Sequence, residues 1–177
     1  DAATLVATTA GVLVLGVEEG VLMGVVLSFA SLIWRSSNPH IAIVGRLPGT
    51  EHFRNEARHT VESLPGVLMM RIDSDLVFNN TDGVVDRIER ELLARPEIRH
   101  LVLVLSAVNM VDTTALLALI ELNRNLGTQK RSLHLCEVKG PVMDRLKLST
   151  LLSNDLTGQV FLSAAQAYEH LSAKGAD

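Results

Sequence analysis

One stretch of the chain places reactive and hydrogen-bonding residue types where a fold could use them. Leu101–Leu105 is a near-continuous apolar run that leads into Ser106–Ala107–Val108–Asn109–Met110–Val111 and then Asp112–Thr113–Thr114. A strand entering a loop that opens a helix offers unpaired backbone N–H groups and the positive end of the helix dipole, a setting that favours an anion. Asn109, Asp112, Thr113 and Thr114 are therefore the candidate site residues. The hydroxyls of Thr113 and Thr114 are candidate phosphoacceptors, or donors to a bound phosphate. The plainer role, that Asp112 or Thr113 simply caps the helix, stands beside it.

Other reactive types assemble into nothing comparable. The six histidines, at 40, 52, 59, 100, 134 and 170, lack metal-ligand spacing, and His134 reads as a structural strand residue. Asp73 and Asp75 flank a strand bend and read as a turn or a solvated edge. Lys and Arg are scattered, which predicts a solvated surface. The sequence has no GxSxG, no phosphate-binding P-loop and no GxGxxG. It thus predicts no catalytic residue, no metal site and no cofactor. Cys136 lies in the apolar stretch Leu133–Val138 and reads as a small buried hydrophobe. A formal net charge of −4 and 3% aromatic residues argue against a nucleic-acid partner.

The elements that must hold the loop follow from periodicity. Strands are expected at His40–Arg46, at Val67–Ile72 with a resumption through Leu76–Phe78, at Leu101–Leu105, at Ser132–Val138 and at Gln159–Leu162. Leu101–Leu105, apolar throughout, suits a central strand buried on both faces. Leu47–Pro48–Gly49–Thr50 reads as a turn, and Glu51–Glu62 as irregular. Asn79–Asn80–Thr81 supplies capping side chains to a helix with Val84, Val85, Ile88 and Leu92 on one face, closed by Pro96. The helix opened by Asp112 carries Leu116, Leu117, Ile120 and then Asn123 or Arg124 on its apolar face, with Gly127 as its stop. Gly140–Pro141 starts the next helix, and Ser163 with Gln166 forms a capping box for the last. Such alternation predicts a mixed, mostly parallel α/β sheet flanked by helices, with an antiparallel pair at its start.

The first part of the chain differs in kind. Between Ala2 and Trp34 the only charged residues are Glu18 and Glu19. The flanks, Ala2–Val17 and Gly20–Trp34, read as two short hydrophobic helices around a turn at Gly16–Gly20. Each is shorter than the ~20 residues of a full span. Gly16, Gly20 and Gly24 recur at four-residue spacing, which permits close helix contact in lipid. Trp34 and Arg35 mark an interfacial exit, and Ser36–Ser37–Asn38–Pro39 a linker. The chain begins at Asp1 instead of methionine, and is read as a piece of a longer protein.

Several of these motifs, taken in order, resemble one family. Gly20–Ser28 with Trp34–Pro39 is similar to the last transmembrane helix and cytoplasmic exit of SulP anion transporters. Val44–Thr50, Arg71–Asp73, Phe78–Asn80 and Val138–Val142 are similar to positions in the STAS domain of that family, and Ser106–Asn109 with Val111–Leu116 to its signature loop. The resemblance implies that residues 1–37 are terminal transmembrane segments in an inner or plasma membrane, and that residues 38–177 are a cytoplasmic STAS domain. It implies secondary transport of an anion such as sulfate, bicarbonate or a dicarboxylate, with the substrate site in membrane helices outside this chain. The STAS part would regulate transport or assembly at the Asn109–Thr114 edge. Its partners would be the transporter membrane domain, a cytoplasmic regulatory protein, a nucleotide or anion, or a second copy in a homodimer. In soluble STAS antagonists of anti-sigma factors the loop ends in a phosphorylated serine and a glycine; Thr114 and Ala115 hold those places here. The short link Leu93–Ile98 points to a bacterial-type protein. The alternative is a soluble phospho-switch that binds a kinase, which has no use for Ala2–Trp34.

Overall fold

The computed structural model describes residues 2–37 and 39–174, in two units, Asp1–Asn38 and Pro39–Asp177. In the first, helices α1 (Ala2–Leu15) and α2 (Val17–Ser37) are interrupted at Gly16, whose φ of +108° suits glycine. The break is narrower than the expected Gly16–Gly20 turn. Glu18 and Glu19 lie in the first turn of α2, where carboxylates complement the helix dipole. With those residues helical, α2 reaches 21 residues, long and apolar enough to cross a membrane, where a shorter segment was expected. The glycine spacing serves close packing of the two helices. A Cβ built on Gly20 would strike the Val12 backbone, and one on Gly24 would lie 2.6 Å from Thr8 Cγ2. The hydroxyls of Thr8 and Thr9 donate to Thr4 O and Leu5 O, 2.8 and 2.9 Å away, so they are satisfied within the helix.

The second unit is built on a six-stranded sheet. Its strands are β1 (Ile41–Arg46), β2 (Phe53–Asn55), β3 (Val67–Ile72), β4 (His100–Val104), β5 (Ser132–Cys136) and β6 (Val160–Phe161), in the order β2-β1-β3-β4-β5-β6. Strands β3 to β6 run parallel, whereas β1 is antiparallel to both neighbours. Helices α3 (Thr81–Ala94), α4 (Thr113–Thr128), α5 (Gly140–Lys147) and α6 (Ala164–Lys174) flank it, with a π-helical turn at Leu151–Asp155. Alternation along β4 explains its unbroken apolar run. Leu101 and Leu103 join a core with Ile88, Leu122 and Leu146 from α3, α4 and α5, while Val102 and Val104 join one with Ala167, Tyr168 and Leu171 from α6. The expected mixed, mostly parallel sheet between helices is what forms.

Several local expectations need correction. Part of Glu51–Glu62, expected to be irregular, supplies β2 and a bridge from Glu62 to Arg46, so β1 is not the sheet edge. Leu76–Phe78 forms one parallel bridge, Leu76 to Val111, instead of a strand. Asn80 precedes α3 without capping it through its side chain; its Oδ1 accepts from Val77 N at 3.0 Å, and its Nδ2 donates to Asp75 O at 2.9 Å. The buried face of α4 is Ala115, Leu119, Leu122, Asn123 and Leu126, rotated from the expected one, and Leu117 is exposed. Gly127 does not stop α4. It lies within the helix, where an added Cβ would sit 3.0 Å from Thr157 Cγ2, and the left-handed residue beyond the helix is Lys130 (φ 56°). The last strand narrows to Val160–Phe161. Ser163 Oγ accepts from Gln166 N at 3.1 Å, as a capping box requires, although Gln166 Oε1 reaches back to Leu162 N at 2.8 Å.

His134 is a satisfied structural residue, as its strand position predicts. Its Nδ1 accepts from Gln159 N at 3.0 Å, so its Nε2 carries the proton facing His100 Nδ1, 3.1 Å away. Gly158 permits this: a Cβ there would strike Leu133 O and lie 2.7 Å from His134 Nδ1. Cys136 is fully buried, and burial with the neighbouring Glu137 carboxylate pushes its thiol up to about 12. It packs as a hydrophobe and stays protonated.

Candidate functional site

Three parallel strands end on the same side of the sheet, and the connections after β3, β4 and β5 meet there. The β4–α4 loop is fixed from below by Val108 and Val111, both buried. It is fixed from the side by the β3–α3 connection: Leu76 N donates to Met110 O, and Asp112 N to Leu76 O, each at 3.0 Å. Asp75 completes the clamp. Its Oδ1 accepts from Asn109 N at 2.6 Å, from Met110 N at 3.1 Å and from Asn109 Nδ2 at 3.2 Å. A carboxylate holding two successive backbone N–H groups keeps the loop in one conformation, since each charge-assisted bond is short and strong.

Asp112 is structural on both sides. Oδ1 caps α4 by accepting from Ala115 N at 2.8 Å, and Oδ2 accepts from Phe78 N at 2.7 Å. The plain reading of Asp112 as a helix cap is therefore correct.

Two cations reach the edge from the β5 side. Lys139 Nζ donates to Asn109 Oδ1 at 2.7 Å, and Arg145 Nη2, from α5, donates to Thr113 Oγ1 at 2.7 Å. Thr113 and Thr114 are exposed at the first turn of α4. The structure thus brings Asn109 and Thr113 together with a lysine and an arginine, turns Asp112 inward and leaves Thr114 on the surface. A phosphate on Thr113 would meet the Arg145 guanidinium directly. Asp75, Lys139 and Arg145 escaped the sequence reading, which put Asp75 on a turn or solvated edge and the cations on a scattered surface. The usable signal was the strand-end position shared by Asp75 and Lys139.

Asp73 is not a solvated edge residue either. Arg71 Nε and Nη2 donate to its Oδ1 and Oδ2 at 2.6 and 3.1 Å, and His40 Nδ1 lies 2.8 Å from Oδ2. Partial burial pushes this carboxyl up, but the hydrogen bonds and charges of Arg71 and His40 outweigh it and hold the carboxyl below its ordinary value. A depressed folded-state value stabilises the fold above the unfolded carboxylate value of about 3.9. That contribution is lost as pH falls through the lower folded value. Asp73→Asn should therefore lower the melting temperature at neutral pH and converge with wild type in acid. A constant difference across a pH series of melts would remove this role.

A STAS domain model matches residues 58–167. The chain belongs to the STAS domain family. The STAS match runs from before β3 into the first turn of α6 and includes the whole of the clamped loop. Sulfate transporter 1.3 of Arabidopsis thaliana is 34% identical over 179 residues, covering 94% of this chain and 27% of that protein. The chain spans about a quarter of the length of the curated sulfate transporters it matches. Among solved structures, the murine Solute Carrier 26 family member A9 anion transporter in the inward-facing state superposes with a TM-score of 0.80 at 18% identity, covering 97% of this chain and 28% of that one. A Thermotoga maritima protein assigned provisionally as an anti-sigma factor antagonist gives 0.54 at 17% identity, covering 62% and 90%. Both superpositions show a shared fold. The STAS domain here, and its likeness to transporters of the sulfate class, agree with the SulP resemblance of the motifs.

Proposed function

We propose that this chain is the C-terminal portion of a SulP-type secondary anion transporter. Residues 1–37 lie in the membrane, and residues 38–177 form a cytoplasmic STAS domain without catalytic activity of its own. The observation that carries this reading is the direct succession of a 21-residue apolar helix and a STAS domain. The large side chains of α2 face outward, with Leu22, Phe29, Ile33 and Trp34 each at least 60% exposed. Lipid is the solvent that matches such a surface. Relatives named as sulfate transporters extend over both parts of the chain, which makes sulfate the first anion to test.

In this reading the Asn109–Thr114 edge is where the STAS domain takes a regulatory protein, a nucleotide or an anion. Lys139 and Arg145 supply positive charge, while the Asp75 clamp keeps the loop preorganised for binding. The soluble phospho-switch has only a likeness of fold behind it and leaves the apolar first unit without a role. The deciding experiment measures sulfate uptake and surface level of the transporter, expressed in an uptake-deficient bacterium, with and without residues 38–177. Deletion should cut uptake several-fold; unchanged uptake and surface level would overturn the regulatory role.

A further inference from the structure

A second surface lies along the outer side of α3 and α4, apart from the Asn109–Thr114 loop. Asp82, Asp86, Glu89 and Leu93 are exposed and follow one another at intervals of four, three and four residues, which places them in one stripe along α3. Across from them, α4 presents Ala118, Glu121 and Asn125 at intervals of three and four. Between the stripes run two hollows of about 260 and 180 Å³, joined through Glu89, Leu122 and Asn125. Their floor is apolar, made by Leu122 with Val85 and Ala118. Leu93, 80% exposed, marks one end.

The charge on this groove is one-sided. Four carboxylates line it, Asp82, Asp86 and Glu89 on one wall and Glu121 on the other. Nearby cations offset them in part: Arg90 Nε donates to Asp86 O at 3.2 Å, Arg124 is 3.8 Å from Glu121, and Arg131 points at Leu92 O, 3.5 Å away, at the far end. We propose that this groove docks a basic amphipathic helix of a partner protein. A furrow between two neighbouring helices has the shape of a third, and the 14 residues of α3 give it a length of about 21 Å, or four helical turns. Apolar residues of the guest at i, i+3 or i+4, and i+7 would cover the floor and Leu93. Lys and Arg on its flanks would face the carboxylates of both walls. An anionic membrane surface is the wrong occupant, because its charge has the same sign as the groove.

This surface is independent of the regulatory edge, and its test leaves anion uptake aside. The full chain in phosphatidylcholine nanodiscs is titrated against two fluorescent peptides of about 14 residues, one Leu/Lys and one Leu/Glu of the same pattern, with empty nanodiscs subtracted. The Leu/Lys peptide should show protein-dependent binding that weakens with added salt. Asp86→Lys with Glu121→Lys should weaken that binding about tenfold or more and transfer preference to the Leu/Glu peptide. Leu93→Ser should weaken it without changing the charge preference. Both variants alter exposed positions, and melting curves are recorded beside the titrations to check that they fold. Absence of protein-dependent binding, or equal binding by wild type and the charge-reversed variant, would overturn the proposal.

Discussion

Replacing Asn123 with alanine should destabilise the STAS domain by about 2–4 kcal/mol, among the largest effects of any single polar substitution in it. Asn123 is 2% exposed on the inner face of α4. Its Nδ2 donates to Asp155 O at 2.6 Å, and its Oδ1 accepts from Thr157 N at 3.0 Å and Thr157 Oγ1 at 2.8 Å. Thr157 Oγ1 in turn accepts from Leu133 N at 2.9 Å. One side chain therefore ties α4 to the end of the π-helical turn and, through Thr157, to the start of β5. Alanine removes all three bonds and leaves a gap where no other side chain supplies them. Asn123→Asp separates the two halves of the amide. It keeps an acceptor for Thr157 but sets a second oxygen against the Asp155 carbonyl, so it should be at least as damaging. Denaturant melts of both variants check this, and a loss below about 0.5 kcal/mol for alanine, the range of an ordinary surface change, would show that the network is dispensable.

Gly20→Leu should separate α1 from α2. A Cβ at position 20 already collides with the Val12 backbone, and the added branches have nowhere to go without moving a helix. In lipid no hydrophobic drive holds two helices together, so lost packing is not recovered elsewhere. A cross-link reads this directly. The Cβ position at Gly24 lies 3.3 Å from Thr8 Cβ, just below the roughly 3.5–4.5 Å range of disulfides, so a small outward shift suffices. Thr8→Cys with Gly24→Cys should therefore close under mild oxidation in nanodiscs. Cys136, buried and protonated, will not compete. Adding Gly20→Leu should abolish most of the cross-link; equal cross-linking with and without it would mean that the glycines do not set this contact.

The sequence is most readable where one element depends only on its own residues. The apolar run at Leu101–Leu105, the face of α3 at Val84, Ile88 and Leu92 and the start of α4 at Asp112 all follow from local composition; both helices form there, and the strand forms one residue earlier, at His100–Val104. Reading fails where a residue answers to a distant one. Gly127 looks like a helix stop, yet its small size accommodates Thr157, and the left-handed turn falls to Lys130. The apolar face of α4 was misplaced because a buried Asn123 and an exposed Leu117 break the pattern from opposite sides. The same holds at the candidate site. Asp75, Lys139 and Arg145 lie 30 or more positions from the residues they hold, and only the strand order β3-β4-β5 makes them neighbours.

The two outermost strands of the sheet bear on how copies of this protein can meet. β2 has three residues and β6 has two. An unpaired backbone row that short gives an incoming strand too few partners to template a continuous ladder. Crowding many copies together should therefore not seed fibrils through the sheet margins, and any self-assembly has to proceed through helical faces or loops.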